Sequence, residues 1–95
     1  MDELDATTII RNNLGKKVRK LRKEQGLSQN NLAMMVGIAR QYVIDIELGR
    51  KAPSLDVLVK LSRGFDMSLP ELIDGIDPEA PTMGASYAFG RIPKS

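Results

Sequence analysis

The chain has 95 residues, 42% of them apolar, and a formal net charge of +2, which suits one small domain with a modest core. Cysteine and histidine are both absent. Their absence excludes disulfides, thiolate metal sites and the commonest general base. No nucleophile–base pair, phosphate loop or gathered carboxylate set occurs either, so no enzyme activity, metal or cofactor is expected. No apolar run approaches the roughly 18 residues of a membrane span, and the acidic start is unlike a signal peptide. A cytoplasmic protein with no membrane contact is the expectation.

The small net charge hides an asymmetry. Residues 11–51 hold ten Lys/Arg against three acids, while the segments on either side are net acidic. A basic stretch between acidic ends fits either a face for a polyanion or an ordinary solvated helical surface.

The elements follow in chain order. Thr7 or Thr8 caps a first helix running to Gln25, with a later start near Asn13 open because Gly15 weakens it. Ile10, Leu14, Val18, Leu21 and Gln25 share one arc at 100° per residue, and Lys16, Arg19, Lys20 and Lys23 lie opposite. Gly26 ends this helix. Ser28 caps a short second helix over Gln29–Val36, which Gly37 breaks. A third helix runs from Arg40 to about Leu48, with Val43, Ile46 and Glu47 on one side, and Gly49 ends it. Ser54 caps a fourth, from Leu55 to about Gly64, with Leu55, Leu58 and Val59 inward. Ser68 and Glu71 have capping-box spacing, with Pro70 in the first turn, and open a fifth helix to Asp74. The expected fold is therefore all-α, a five-helix bundle over residues 8–75. Residues 76–95 form a tail that is either flexible or docked, with a weak strand-like alternation around Tyr87 and Phe89.

Two short helices joined at a tight glycine turn make a helix-turn-helix. Ala33 is small where the helices cross, and Gly37 sits at the bend. Leu32, Val36, Ile38, Val43 and Ile46 supply the apolar seam. Residues 40, 41, 44, 45 and 48 are then expected on the face that would enter a DNA major groove. A helical bundle with an incidental glycine accounts for the seam alone.

The run GLSQNNLAMMVGIARQYVIDIELGRKAPSL resembles the phage-repressor and Cro type helix-turn-helix family, also called the xenobiotic-response-element family. The resemblance covers residues 14–73, and its most specific pieces are LRKEQGLSQ, ARQYVIDIE and GRKAPSL. It implies a regulator of transcription, a repressor, that binds double-stranded operator DNA as a homodimer. By position it implies that Gln29 contacts a phosphate and braces the recognition helix. Arg40 and Gln41 would reach base edges, where Arg pairs best with guanine and Gln with adenine. Tyr42, Arg50 and Lys51, with Lys16 or Lys17, would hold the phosphate backbone. Arg22 and Glu47, each beside an apolar arc, are expected to form an ion pair at the core edge.

Departures from the family pattern carry their own expectations. Ala39 stands where the family usually has a capping Ser or Thr, and Asn31 where it has an acid. Ile44 and Leu48 are apolar, suited to a thymine methyl or to a protein partner. Asp45 could accept from cytosine or orient Arg40. A protein-interaction module on the same fold, an antitoxin or a bridging coactivator, is the alternative function, with Ile44, Leu48 or the tail as its contact. Leu69, Leu72, Ile73 and Ile76 exceed what one short helix needs for its own core, and are expected, with residues 87–92, at the dimer surface.

Overall fold

The computed structural model describes residues 5–79, which form five helices and no strand. They are α1 (Ala6–Glu24), α2 (Gln29–Val36), α3 (Arg40–Glu47), α4 (Leu55–Gly64) and α5 (Leu69–Ile73). The tail residues Tyr87, Phe89 and Ile92, and the strand-like pattern around them, lie outside the described residues.

Local chemistry sets most of the helix ends. Ser28, Ser54 and Ser68 each sit in extended backbone, and each hydroxyl accepts an N–H from the first turn of the helix that follows. At α5 the capping box is complete: Glu71 Oε1 accepts the Ser68 N–H at 2.8 Å. Those hydrogen bonds hold the Glu71 carboxyl below its ordinary range. The first helix begins earlier than the threonines suggest. Asp5 is its cap, with Oδ1 accepting the Thr8 N–H at 2.8 Å. α1, α3 and α4 end alike. In α3, for example, Arg50 N–H donates to Asp45 O at 2.8 Å and Gly49 N–H to Ile46 O at 3.0 Å. This paired arrangement closes a helix whose next residue turns left-handed. Gly26 and Gly49 take that position after α1 and α3, and Asp66 takes it after α4.

α1 packs on α3, α3 on α2, α2 on α4 and α4 on α5. Leu14 and Val18 of α1 meet Leu32, Ala33 and Val36 of α2, Val43 and Ile46 of α3, and Val57, Leu61, Phe65, Leu72 and Ile76 in one buried cluster. Each large side chain there contributes about 1.5–3 kcal/mol by leaving water. The inward face of α4 differs from the expected one. Leu55 is 66% exposed and Leu58 and Val59 are half-buried, while Val57 and Leu61 point inward. Leu55 is the first helical residue, and the arc that reaches the core begins two positions later.

Gly15 does not weaken α1 but lets it approach α3. A Cβ there would strike the carbonyl oxygens of Ile46 and Glu47, the latter at 2.6 Å. α1 is also tied to α5 and the residues that follow it. Asn13 Nδ2 donates to Ile76 O at 3.0 Å, and Lys17 Nζ donates to Glu71 O at 2.6 Å and Asp74 O at 2.7 Å. Lys17, expected at a DNA phosphate, is thus drawn to the C-terminal carbonyls of α5, where a cation is favoured.

Candidate nucleic-acid interface

The two helices of the motif, α2 and α3, have eight residues each and turn at Gly37, which is left-handed at φ 75°. Ala33 is 2% exposed at the crossing, where a larger side chain would push the helices apart. α3 buries Val43 and Ile46 and leaves Arg40, Gln41 and Leu48 exposed, with Ile44 half-buried. A helix held by one face and bare on the other has the shape that a major groove admits.

An ion pair anchors the inner side of α3. Arg22 Nε donates to Glu47 Oε2 at 2.6 Å and Arg22 Nη2 to Glu47 Oε1 at 3.0 Å. The same guanidinium reaches Leu27 O at 2.9 Å, and Gln29 Nε2 donates to Glu47 Oε1 at 3.1 Å. The Glu47 hydrogen bonds raise the Arg22 pKa further. One carboxylate thereby locks α1, α2 and α3 to each other. The pair is nearly out of solvent, with side chains 10% and 3% exposed, so its geometry must be good to repay desolvation. The two-pronged contact meets that demand.

Asp45 does not face outward with Arg40 and Gln41; it is 7% exposed. Its Oδ1 accepts from Gln41 Nε2 at 3.1 Å, and its carboxylate lies 3.6 Å from Arg50 Nη1 and 3.7 Å from Lys51 Nζ. The physical reason is the turn after α3. That turn folds two cations back over the last helical residues, and the carboxylate settles beneath them. Tyr42 sits beside this loop, its hydroxyl accepting the Ser54 N–H at 3.3 Å and its ring 5.7 Å from Lys51 Nζ.

A second group of positive charges lies at the other end of the motif. A solvent-open hollow of about 470 Å³ is lined by Arg19, Arg22, Lys23, Ser28, Gln29, Asn30 and Arg40. With Arg22 neutralised by Glu47, it presents Arg19, Lys23 and Arg40 around the first turn of α2. The positive end of a helix dipole adds to that field. Arg19 and Lys23 are not among the contact residues that the family resemblance implies. Their signal was present, because both fall opposite the apolar arc of α1, but only the α1–α3 packing puts them beside Arg40. Lys16 is exposed on α1 and outside this lining.

No group of three or more metal-ligating side chains occurs among the described residues. No helix among them is long and apolar enough to cross a membrane.

Several known regulators share this architecture. The control protein C.MunI from Mycoplasma sp is 39% identical over 71 residues, covering 74% of this chain and 96% of its own length. The restriction-modification controller protein C.AhdI from Aeromonas hydrophila superposes with a TM-score of 0.63 at 38% identity, covering 64% of this chain and 92% of that one. SinR of Bacillus subtilis, solved in complex with DNA, superposes with a TM-score of 0.61 at 35% identity, covering 64% of this chain and 98% of that one. SinR has also been solved with the SinI protein. Against several longer regulators the chain spans only 19% to 50% of their length. The helix-turn-helix family model HTH_3 matches residues 18–72, more than half of the chain and the whole α2–α3 unit, so the chain belongs to this family of DNA-binding transcription regulators.

Proposed function

We propose that this protein is a cytoplasmic, non-enzymatic repressor that reads a two-fold symmetric operator as a homodimer, with α3 in the major groove. The observation that carries this reading is the bare outer face of α3 bordered by two basic clusters: Arg19, Lys23 and Arg40 at one end, Arg50 and Lys51 at the other. Arg40 and Gln41 read base edges, and Ile44 offers an apolar contact for a thymine methyl. Asp45 is reassigned from base reading to support of its neighbours. Arg19 and Lys23 join Gln29, Tyr42, Arg50, Lys51 and Lys16 on the phosphates, while Lys17 serves the fold. Phosphate contacts supply the salt-dependent, sequence-blind part of the affinity, and base contacts supply the discrimination.

A dimer follows from geometry and scale. One module this small buries too little DNA for specific binding, and a two-fold partner doubles the contacts. Leu72 closes the bundle's own core, so the expected apolar surplus shrinks to Leu69, Ile73 and the edge of Ile76. Ile73 borders an apolar groove of about 160 Å³ together with Ile10, Leu58 and Pro53, and this groove is the better candidate for the two-fold contact. Paired recognition helices would then stand about 34–36 Å apart.

A second reading has one observation behind it: Leu48, at the end of α3, is 54% exposed. A protein partner seated there would compete with DNA for the same helix. SinR, solved with both DNA and SinI, offers a precedent for two kinds of partner on one such regulator.

Selection of bound duplexes from a random pool, followed by sedimentation of the complex, tests the proposal. The expected result is an enriched palindrome carrying two chains. Failure to enrich any sequence, or enrichment with one chain per site, would overturn the corresponding part.

A further inference from the structure

We propose that Asp45 is the positioning residue of the recognition helix: it fixes the reading direction of Gln41 and restrains Arg50 and Lys51 until phosphates take them. The inference rests on the DNA-reading role of α3 proposed above.

The geometry begins with a carboxylate that is only 11% exposed in its side chain yet has three donors around it. Gln41 lies one helical turn before it and donates through Nε2 at 3.1 Å. A carboxylate can only accept. The nitrogen end of the Gln41 amide must therefore face Asp45, and the usual freedom of that amide to swap its ends is removed. One N–H and the carbonyl oxygen remain. Those are the donor and acceptor that an adenine edge requires, the donor for N7 and the acceptor for N6–H₂. Without Asp45 the amide turns freely, and ordering it is left to the moment of binding.

The other side of the carboxylate carries the cations. Arg50 and Lys51 are held at 3.6 and 3.7 Å, and their side chains are 62% and 61% exposed. Pairs this loose and this wet are weak, so a DNA phosphate can replace them. The backbone bonds from Arg50 and Lys51 to Asp45 O, at 2.8 and 3.4 Å, keep both residues beside the carboxylate whether or not the side chains stay. Each cation that turns to a phosphate must leave Asp45, and the carboxylate itself repels the DNA backbone. Asp45 therefore lowers sequence-blind affinity and raises discrimination at the base pair read by Gln41.

The test uses the full chain, its selected operator and a scrambled duplex. Asp45→Asn should bind the scrambled duplex several-fold more tightly at low salt. It should also lose roughly tenfold of its preference at the Gln41 base pair, within the range ascribed to one bidentate contact. In a Gln41→Ala background the same change should still tighten scrambled binding but cost no further preference. A merely structural role predicts something different, weaker binding to both duplexes with the preference intact, and that result would overturn the proposal. Should Asp45→Asn fail to fold, Asp45→Glu serves in its place. The charge is kept but displaced, so scrambled binding should stay low while the base preference broadens; an unchanged preference would overturn the proposal. A wild-type chain that selects no sequence at all would remove the DNA-reading role itself, an outcome distinct from a selective wild type and an indifferent Asp45→Asn.

Discussion

The two helices of the motif are equal in length and opposite in how they are held. α2 is secured locally and by apolar contact: Ser28 caps it, and Leu32, Ala33 and Val36 are buried. α3 starts at Ala39 with no side-chain cap. Beyond Val43 and Ile46, it relies on one carboxylate, Glu47, fastened to Arg22 of α1 and Gln29 of α2. The contrast suits their tasks. A scaffold helix needs only to be present, and apolar packing is tolerant of direction. A reading helix must be placed to within a fraction of an ångström, and directional charged hydrogen bonds supply that placement.

The sharpest way to break the contrast is Glu47→Ala. It leaves Arg22 and Gln29 facing an empty, desolvated site, and should cost about 3 kcal/mol, a large share of the roughly 5–15 kcal/mol that holds a domain together. Replacing the pair together, Arg22→Met with Glu47→Leu, should recover much of the stability but not the operator affinity. Denaturant titration and operator binding on the three proteins check both halves. A Glu47→Ala chain as stable as the wild type would mean that packing alone seats α3.

A smaller effect is expected at the α1–α3 contact. Gly15→Ala gains about 1 kcal/mol of helix propensity but drives a methyl into two backbone carbonyls that cannot swing aside. Overpacking of that kind costs about 1–3 kcal/mol, so a net loss near 1 kcal/mol is expected, with operator binding weakened more than the loss of stability alone would cause. Thermal melts read beside binding isotherms measure the two effects. A chain that melts higher with full binding would show that α1 and α3 separate at no cost.

The least effect, and the most direct comparison of the two helices, comes from their caps. Ser28→Ala should lose about 1 kcal/mol and Ala39→Ser should gain up to about the same, since Ala39 already has the extended backbone of a cap at φ −70° and ψ 146°. Equal and opposite shifts in denaturation midpoint are the expected outcome. No gain from Ala39→Ser would mean that the serine hydroxyl cannot reach the first turn of α3.

By itself, the sequence determined the elements and their order. Ser28, Ser54 and Ser68 before apolar periods, and Gly26, Gly37 and Gly49 after them, mark helix ends through bonds spanning three to five residues, so no distant contact is needed to read them. Asp5 was missed as the first cap because two threonines offered the same chemistry two and three residues later. The helix-turn-helix was legible for the same local reason, with a small residue at the crossing and a glycine at the bend. Tertiary structure alone decided the directions of the charged side chains. Lys17 turned to α5, Asp45 turned inward beneath the 50–51 loop, and Arg19 and Lys23 gathered beside Arg40. A helical wheel gives a residue's angle but not what another helix brings to that angle. Gly15 is the clearest case: a helix breaker when judged by propensity, it is the residue that lets α1 lie against the end of α3, because only the packed pair reveals the carbonyls that a side chain would strike.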